Sequence, residues 1–251
     1  MAAEDTKRVT APRSSVSAAD SAAPDAVDAV SVTDPDADPA TPDAVALGRR
    51  ARGKRDKSAR IFAAAESLFA ERGYAAVTTQ DIADRADVAG GTLFRYAATK
   101  PELLLMVYNV SLARGIDAGR AASLVGATLA DRITLLLEPL VASASRQREN
   151  TAVYQREILF GEPAGEFRAE ALILIGSLES AIARELRSAD DEPLRPGADA
   201  DLAARGIFAI LHMALVHAGL RGDDETTLRT DLRRQVDLAI HGVIDAGAAT
   251  S

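Results

Sequence analysis

Residues 78–104, TTQDIADRADVAGGTLFRYAATKPELL, hold two helix-start signals and a tight turn within one short run. Thr78 is a favourable N-cap, and Asp81 three residues later completes a capping box, so a helix is expected to begin here. The segment DVAG has the composition of a short turn, and GGTLFRYA follows it as a second short helix. Pro101, just after Thr99, marks the start of another helix. The run therefore predicts two short helices and the beginning of a third, joined by tight turns.

Positive charge is concentrated around this run, although the whole chain has a net charge of −8. Residues 1–46 hold 3 basic and 9 acidic side chains, residues 47–108 hold 11 and 7, and residues 109–251 hold 15 and 21. A polyanion responds to local charge, so only the middle segment suits nucleic acid. Its basic run, which includes Arg52 and Arg55, directly precedes a first helix expected near residues 56–72. Such a run is a solvated face or a flexible arm that contacts phosphates.

The rest of the chain also has the composition and periodicity of helices. Hydrophobic residues make up 47% of the chain and aromatic residues only 4%, which suits close helix packing better than a β-sandwich. We expect an all-α fold with a disordered acidic tail at 1–46, a helix-turn-helix domain at 47–108 and a larger helical domain at 109–251. Further helices are expected near residues 122–147, 150–160, 164–189, 199–221 and 224–246.

Two short helices joined by a tight turn place the second helix in the major groove of DNA. Leu93 is expected to face the core, whereas Thr92, Arg95 and Tyr96 project outward, with Arg95 suited to a guanine edge. Gly90 and Gly91 allow the backbone to approach a phosphate, and Lys100 is placed for another. The alternative is a solvated helix face with nearby salt bridges, which the combination of cap, glycines and basic run makes less favourable.

The same region resembles the TetR family of bacterial transcriptional regulators, through LFAERGY at 68–74, IADRA and GTLFRYAATKPELL. The resemblance covers residues 57–108 and implies a dimer whose C-terminal domain binds a small inducer. It also implies contacts to phosphates from Thr78, Thr79, Phe94, Tyr96 and Lys100. Contacts to base edges are implied for Gly91, Thr92 and Arg95.

Three residues depart from the family pattern. Phe94 stands where a tyrosine is usual, so a hydroxyl contact to phosphate is lost. Ala97 replaces a buried phenylalanine, so the turn after the second helix must repack. Asp87 replaces a turn glycine, and aspartate tolerates a left-handed conformation at modest cost. These departures keep open a second interpretation, a helical adaptor of the same fold with weak or lost DNA binding.

The C-terminal domain carries two apolar helical stripes that predict a homodimer. The side chains expected at its interface are Ile207, Ile210, Leu211, Ala214, Leu232, Val236 and Ile240. The alternative is that one of these helices is simply the core of a single chain. The side chains expected to contact an inducer are Tyr154, Glu157, Phe160, Phe167, His212 and Met213, each of which also suits a core or surface position.

Several protein classes are not expected. The chain has no cysteine, which fits a reducing cytoplasm, and no signal peptide or membrane-spanning segment is expected. No phosphate-binding loop, HExxH, GxSxG or cysteine nucleophile is present, so we expect neither an enzyme nor a bound metal or cofactor. The sequence favours a cytoplasmic dimeric repressor released from a palindromic DNA operator by a small apolar or amphipathic ligand.

Overall fold

A computed structural model describes residues 42–189 and 192–244, with side chains from residue 52 onward. The helices are α1 (Pro42–Ala76), α2 (Thr79–Arg85), α3 (Gly90–Leu93), α4 (Lys100–Ser123), α5 (Leu129–Arg146), α6 (Arg148–Phe160), α7 (Glu166–Arg187), α8 (Ala200–Arg221) and α9 (Glu225–His241). Within these ranges, the only β-type pairing is an isolated bridge between Leu194 and Ile244. The all-α prediction is confirmed, and the packing below is that of the compact unit beginning at Ala46.

The first helix is longer than the sequence suggested. It begins at Pro42 rather than near residue 56, so the basic run is helical in this structure. Arginine, lysine and alanine all favour helices, and the charges of arginine and lysine can be solvated on a helix as well as on an extended arm. Gly73 interrupts the helix with a φ of 76°, as expected for a C-terminal stop. The predicted acidic tail lies outside the described residues, apart from residues 42–46.

Helix caps set several of the other boundaries. The Thr78–Asp81 capping box at α2 is present, and the Thr99 side chain accepts a hydrogen bond from the Glu102 amide at α4. A second capping box, between Thr128 and Asp131, begins α5. The helix expected near residues 122–147 therefore starts later, because α4 continues to Ser123 and a short turn precedes the cap.

Apolar side chains form two clusters. One lies between α1, α2, α3 and the first half of α4, and it takes further residues from α6 and α7, including Tyr154 and Ala171. The other lies between α4, α5, α7, α8 and α9. Leu112 on α4 packs against both clusters, and α4 crosses the predicted boundary between residues 108 and 109 without a break. The two predicted domains are therefore joined by a continuous helix and a shared set of contacts.

Two glycines allow α4 and α5 to pack closely. A methyl group added at Gly119 would lie 2.0 Å from the Leu136 carbonyl oxygen, and one added at Gly115 would lie 2.5 Å from Leu140 Cδ2. The Leu136 contact is with backbone, which cannot move aside cheaply. The spacing of α4 and α5 thus depends on the missing side chain at Gly119.

Candidate functional site

The helix-turn-helix is built from α2, the turn at residues 86–89 and α3. Asp87 adopts a φ of 51°, the left-handed conformation expected at the usual glycine position. Its carboxylate accepts a hydrogen bond of 3.1 Å from Arg60 Nη1 on α1. The turn geometry is thus kept without glycine, and an ion pair holds the turn against α1.

Residues 90–97, called the recognition segment below, form a shorter and tighter helix than a regular α-helix. After Leu93 the amides of Arg95 and Tyr96 bond to carbonyls three residues earlier, those of Thr92 and Leu93. This 3₁₀-type pattern ends α3 at Leu93, although helical turns continue towards Ala97. Ala97 is buried, so the turn repacks around the small side chain as expected.

The two faces of α3 differ as the sequence predicted. Leu93 is fully buried in the cluster with α1 and α2, which fixes the rotation of the segment. Gly91 and Arg95 are exposed, Gly90 and Thr92 are partly exposed, and a side chain added at Gly91 would meet no atom within 4 Å. The helix start is thus open to close approach by another molecule. Thr79 is also partly exposed, whereas the Thr78 hydroxyl is used by the capping box.

The two aromatic residues that follow have different roles. Phe94 is 50% exposed and offers its ring to solvent. Tyr96 is only partly exposed, packs against the apolar cluster and donates its hydroxyl to the Lys54 carbonyl at 3.2 Å. The expectation that Tyr96 projects freely outward is corrected by this contact. Tyr96 instead ties the recognition segment to the basic part of α1.

Several basic side chains surround this surface. Arg52 and Arg55 are exposed and lie three residues apart, which places them near the same face of α1. Lys100 Nζ lies 4.1 Å from the centre of the Tyr74 ring, and partial burial lowers the pKa of its ammonium group. Arg85 is used within the protein, because it donates to Glu71 at 2.8 Å and so lowers the pKa of that carboxyl group.

A cavity of about 490 Å³ lies between α4, α5, α6, α7 and α8. Its volume falls in the range of about 300–1,000 Å³ that is typical of small-molecule sites. Of the side chains predicted to contact a ligand, Tyr154, His212 and Met213 line it. Phe160 lies instead at a neighbouring cavity of about 570 Å³, which shares His212 and Met213. Glu157 and Phe167 line neither cavity, which corrects their assignment.

Glu157 and Phe167 are occupied elsewhere. Glu157 pairs with Arg156 at 2.8 Å, and Phe167 packs against the first apolar cluster. The sequence reasoning missed Tyr108, Gln155 and Arg168, which line the cavity of about 490 Å³. Tyr108 continues the apolar stripe of α4 and carries a hydroxyl, a signal that was available in the sequence. The other two occupy ordinary polar positions that no local pattern distinguishes.

Burial shapes the chemistry of the cavity wall. The hydroxyl of Tyr154 donates to Asn109 Oδ1 at 2.8 Å, and burial raises the pKa of this phenol. Burial also raises the pKa of Tyr108 to about 12 and lowers the pKa of His212. The Gln155 amide lies 3.5 Å from His212 Nδ1. At neutral pH the wall is therefore uncharged at these positions, and it suits an apolar molecule with a few hydrogen-bonding groups.

A chain of hydrogen bonds connects this cavity with α1. Tyr108 donates to Gln147 Oε1 at 2.5 Å, and Asn150 Nδ2 donates both to that oxygen at 3.0 Å and to the Phe69 carbonyl at 2.9 Å. One residue away, Glu149 Oε1 accepts from the Ala75 amide at 2.6 Å. The first turn of α6 is thus attached to the end of α1, while later turns of the same helix line the cavity.

Six of the seven side chains predicted at the dimer interface are buried within the chain itself. Ile207, Leu211 and Ala214 on α8 are buried against the same chain, as are Leu232, Val236 and Ile240 on α9, and Ile210 is partly buried. The alternative interpretation, an intrachain core, holds for these six side chains. Because α8 is apolar on nearly all sides, the sequence did not distinguish its buried face from its exposed one.

The geometry defines a helix-turn-helix protein with a helical C-terminal domain that encloses a cavity. Residues 61–107 match the family model described as bacterial regulatory proteins, tetR family. With this match and the relatives below, the helix-turn-helix region of the chain is that of the TetR family.

Three known proteins illustrate the similarity. The HTH-type transcriptional repressor KstR of Mycobacterium tuberculosis is 36% identical over 117 residues, which cover 46% of this chain and 52% of KstR. The chain thus matches about half the length of that relative. The HTH-type transcriptional repressor Rv3405c of the same organism is 28% identical over 206 residues, covering 77% of this chain and 92% of that protein.

A solved structure shows the same fold. It is the crystal structure of Thermus thermophilus FadR, a TetR family transcriptional repressor, in complex with lauroyl-CoA. It is 24% identical with a TM-score of 0.59, covering 74% of this chain and 94% of FadR.

Proposed function

We propose that this protein is a cytoplasmic, dimeric transcriptional repressor that binds a palindromic operator and is released by a small apolar or amphipathic ligand. The observation that carries the proposal is the recognition segment, where Leu93 is anchored while Gly91 and Arg95 remain exposed at the start of the helix. Exposed glycine lets phosphate approach backbone amides, and arginine reads a guanine edge with two hydrogen bonds. Relatives named as repressors support repression as the direction of control.

The exposed face of α8 supports dimerisation. Leu202, Gly206, Ala209, Met213, His217 and Leu220 recur every three or four residues, and all six are exposed. Leu220 is 80% exposed, and Leu238 on the neighbouring α9 is 74% exposed. Such an apolar stripe is unfavourable in water, and its small residues permit close approach of a second helix. We therefore move the proposed interface from the buried faces of α8 and α9 to these exposed ones.

By length and composition alone, α8 is also apolar enough to cross a membrane. Its other face packs against α7 and α9 within the second apolar cluster. A second copy of this chain covers the exposed stripe while leaving that packing in place, so we favour the dimer.

Helix α6 offers a physical connection between ligand and DNA. Tyr154 and Gln155 line the cavity, and Glu149 and Asn150 hold the end of α1, so a ligand that moves α6 also moves the helix-turn-helix. Two recognition segments must lie about one DNA turn apart to bind a palindrome, so a small displacement is enough to lower affinity. By linkage, the releasing ligand must bind the DNA-free protein more tightly than the DNA-bound protein.

The proposal is tested by selecting genomic fragments that the purified protein binds and measuring affinity for the enriched sequence at increasing salt. We expect a palindromic sequence and an affinity that falls steeply with salt. Binding without sequence preference, or no binding, would instead favour the adaptor interpretation. Repression is then checked with a reporter gene placed behind the selected sequence.

The dimer is tested by light scattering coupled to size-exclusion chromatography. We expect twice the chain mass of 26.3 kDa, and a Leu220→Glu, Leu238→Glu double variant should shift the protein towards the single-chain mass. The matched control is Leu124→Glu, since Leu124 is 81% exposed but lies at the end of α4. A wild-type protein of single-chain mass at working concentration would contradict the proposal.

A further inference from the structure

The cavity of about 490 Å³ has one charged side chain in its wall. Its apolar lining includes Leu112, Leu140, Ile158, Leu172, Ile175 and Phe208, and its polar groups are hydroxyls, the Gln155 amide and His212. Arg168 is the single residue in that lining with a permanent charge. Burial lowers the pKa of His212, which keeps the imidazole neutral at neutral pH. The electrostatics of the cavity are therefore dominated by one guanidinium group.

Arg168 is held in a fixed orientation. It lies in the first turn of α7 and is partly buried, and its Nε donates to the Ile158 carbonyl in the last turn of α6 at 2.9 Å. Its two terminal nitrogens make no hydrogen bond or ion pair to any residue that the structure describes. Because Nε is occupied, the edge formed by Nη1 and Nη2 is the one left to bind a ligand.

A guanidinium edge with two parallel N–H donors matches the two oxygens of a carboxylate. Next to an apolar wall this pairing is screened less than in water, so it contributes both affinity and orientation. We propose that the regulatory ligand is an apolar molecule bearing a carboxylate, whose body fills the cavity and whose carboxylate binds Arg168 end-on. The inference rests on the proposed ligand-responsive function, because it names the chemical class that the same cavity takes.

A purely structural role for Arg168 predicts a different ligand selectivity from a carboxylate-binding role. If Arg168 served only to satisfy the Ile158 carbonyl at the C-terminal end of α6, it would use Nε alone. Another hydrogen-bond donor at the same position could then replace it. Such a residue affects all ligands of the cavity alike, through the position of α6. A carboxylate-binding residue distinguishes an acid from its neutral analogue of the same length, and this difference separates the two roles.

The test uses full-length protein without DNA and equilibrium dialysis against dodecanoate, dodecanol and methyl dodecanoate, each kept below its aggregation concentration. Octanoate and hexadecanoate establish which chain length the cavity accepts. We expect the wild-type protein to bind the carboxylate about 10- to 100-fold more tightly than the alcohol or ester of the same length. The same measurement is made on Arg168→Gln, Arg168→Lys and Arg184→Gln, the last being an exposed arginine on the same helix.

Arg168→Gln should lose that preference while its affinity for dodecanol stays unchanged, and Arg168→Lys should keep part of it, since lysine retains charge without the fork. Arg184→Gln should behave as wild type. Thermal unfolding of each variant confirms that the fold is retained, with Arg168→Lys as the milder change. Equal affinity of the wild type for acid and alcohol, a preference that survives in Arg168→Gln, or no binding of any chain length would overturn the inference. Because DNA is absent, a failed operator assay counts against the proposed function and leaves this result intact.

Discussion

The helix-turn-helix and the helical domain bury apolar side chains in different ways. In the recognition segment Leu93 and Ala97 are buried and Tyr96 packs against the same cluster, whereas the other residues are exposed or only partly buried. The helical domain instead buries long stripes from α5, α7, α8 and α9, which are far apart in sequence. In the first region local caps and turns determine the conformation, whereas in the second it is long-range packing.

Because of this difference, the residues that stabilise the fold are largely separate from the residues available to bind DNA. A short segment held by Leu93, Ala97 and the Tyr96 contact with α1 leaves most of its surface for a partner. A domain with a large core tolerates a cavity, because the surrounding helices are fixed by many other contacts. Substitutions in the two regions should therefore separate effects on DNA from effects on folding.

The largest expected effect comes from removing a buried leucine in each region. Leu93→Ala and Leu137→Ala should each lower the free energy of unfolding by about 2–5 kcal/mol, since both side chains are fully buried. Only Leu93→Ala should abolish DNA binding under conditions where the variant remains folded, because α3 loses its anchor. Chemical denaturation and DNA affinity are measured together. Equal loss of DNA binding in both variants would show that the two regions are not separable.

A smaller effect on the free energy of unfolding is expected at the contact between α6 and the end of α1. Asn150→Ala removes the hydrogen bond to the Phe69 carbonyl and should lower stability by about 1–3 kcal/mol. It should also weaken the dependence of DNA release on ligand while ligand affinity without DNA changes little. Glu149→Gln is the matched control, since it keeps an acceptor for the Ala75 amide. Unchanged ligand-dependent release in Asn150→Ala would contradict transmission through α6.

Removing the capping box of α2 should have a smaller effect on stability. Thr78→Ala should lower the free energy of unfolding by roughly 1 kcal/mol. Hydrogen bonds from the Thr78 hydroxyl and amide lower the pKa of Asp81, so its contribution is present above the unfolded-state pKa and is lost as pH falls through the folded-state pKa. In Thr78→Ala the pKa of Asp81 should rise, as followed by NMR titration. An unchanged Asp81 pKa would argue against the cap.

The smallest effect is expected at the turn. Asp87→Gly should change the free energy of unfolding by less than about 1 kcal/mol, because relief of the left-handed conformation offsets loss of the exposed Arg60 pair. Asp87→Ala should be the less stable of the two, as alanine gains no relief. Thermal unfolding compares them. If Asp87→Ala is as stable as Asp87→Gly, the left-handed conformation of this residue does not lower the stability of the protein.

Sequence reasoning succeeded where local chemistry decides the structure. The cap at Thr78, the helix start near Thr99 and the left-handed turn at Asp87 each depend on neighbours within a few residues, and all three are present. The early end of α3 was missed, because the change to 3₁₀-type bonding after Leu93 has no clear residue signature. The DNA contacts assigned to Thr92, Arg95 and Lys100 remain predictions.

The helical domain was less predictable for a physical reason. An apolar residue such as Ile207 or Leu220 on α8 suits either a core or an interface, and only the positions of α7 and α9 decide which face is buried. The cavity was found in part, since Tyr154 and His212 interrupt apolar helices visibly. Arg168 gave no such signal, because an arginine in the first turn of a helix looks like an ordinary surface residue.

The most direct measurement of the central claim is fluorescence anisotropy of the selected DNA duplex against a scrambled duplex. Wild-type protein should prefer the selected sequence, and Arg95→Ala should lose about 1–3 kcal/mol of that discrimination while keeping salt-dependent binding to both duplexes. Arg184→Ala, an exposed change on α7, should leave both affinities unchanged. Equal wild-type affinity for the two duplexes, or full discrimination in Arg95→Ala, would contradict the account.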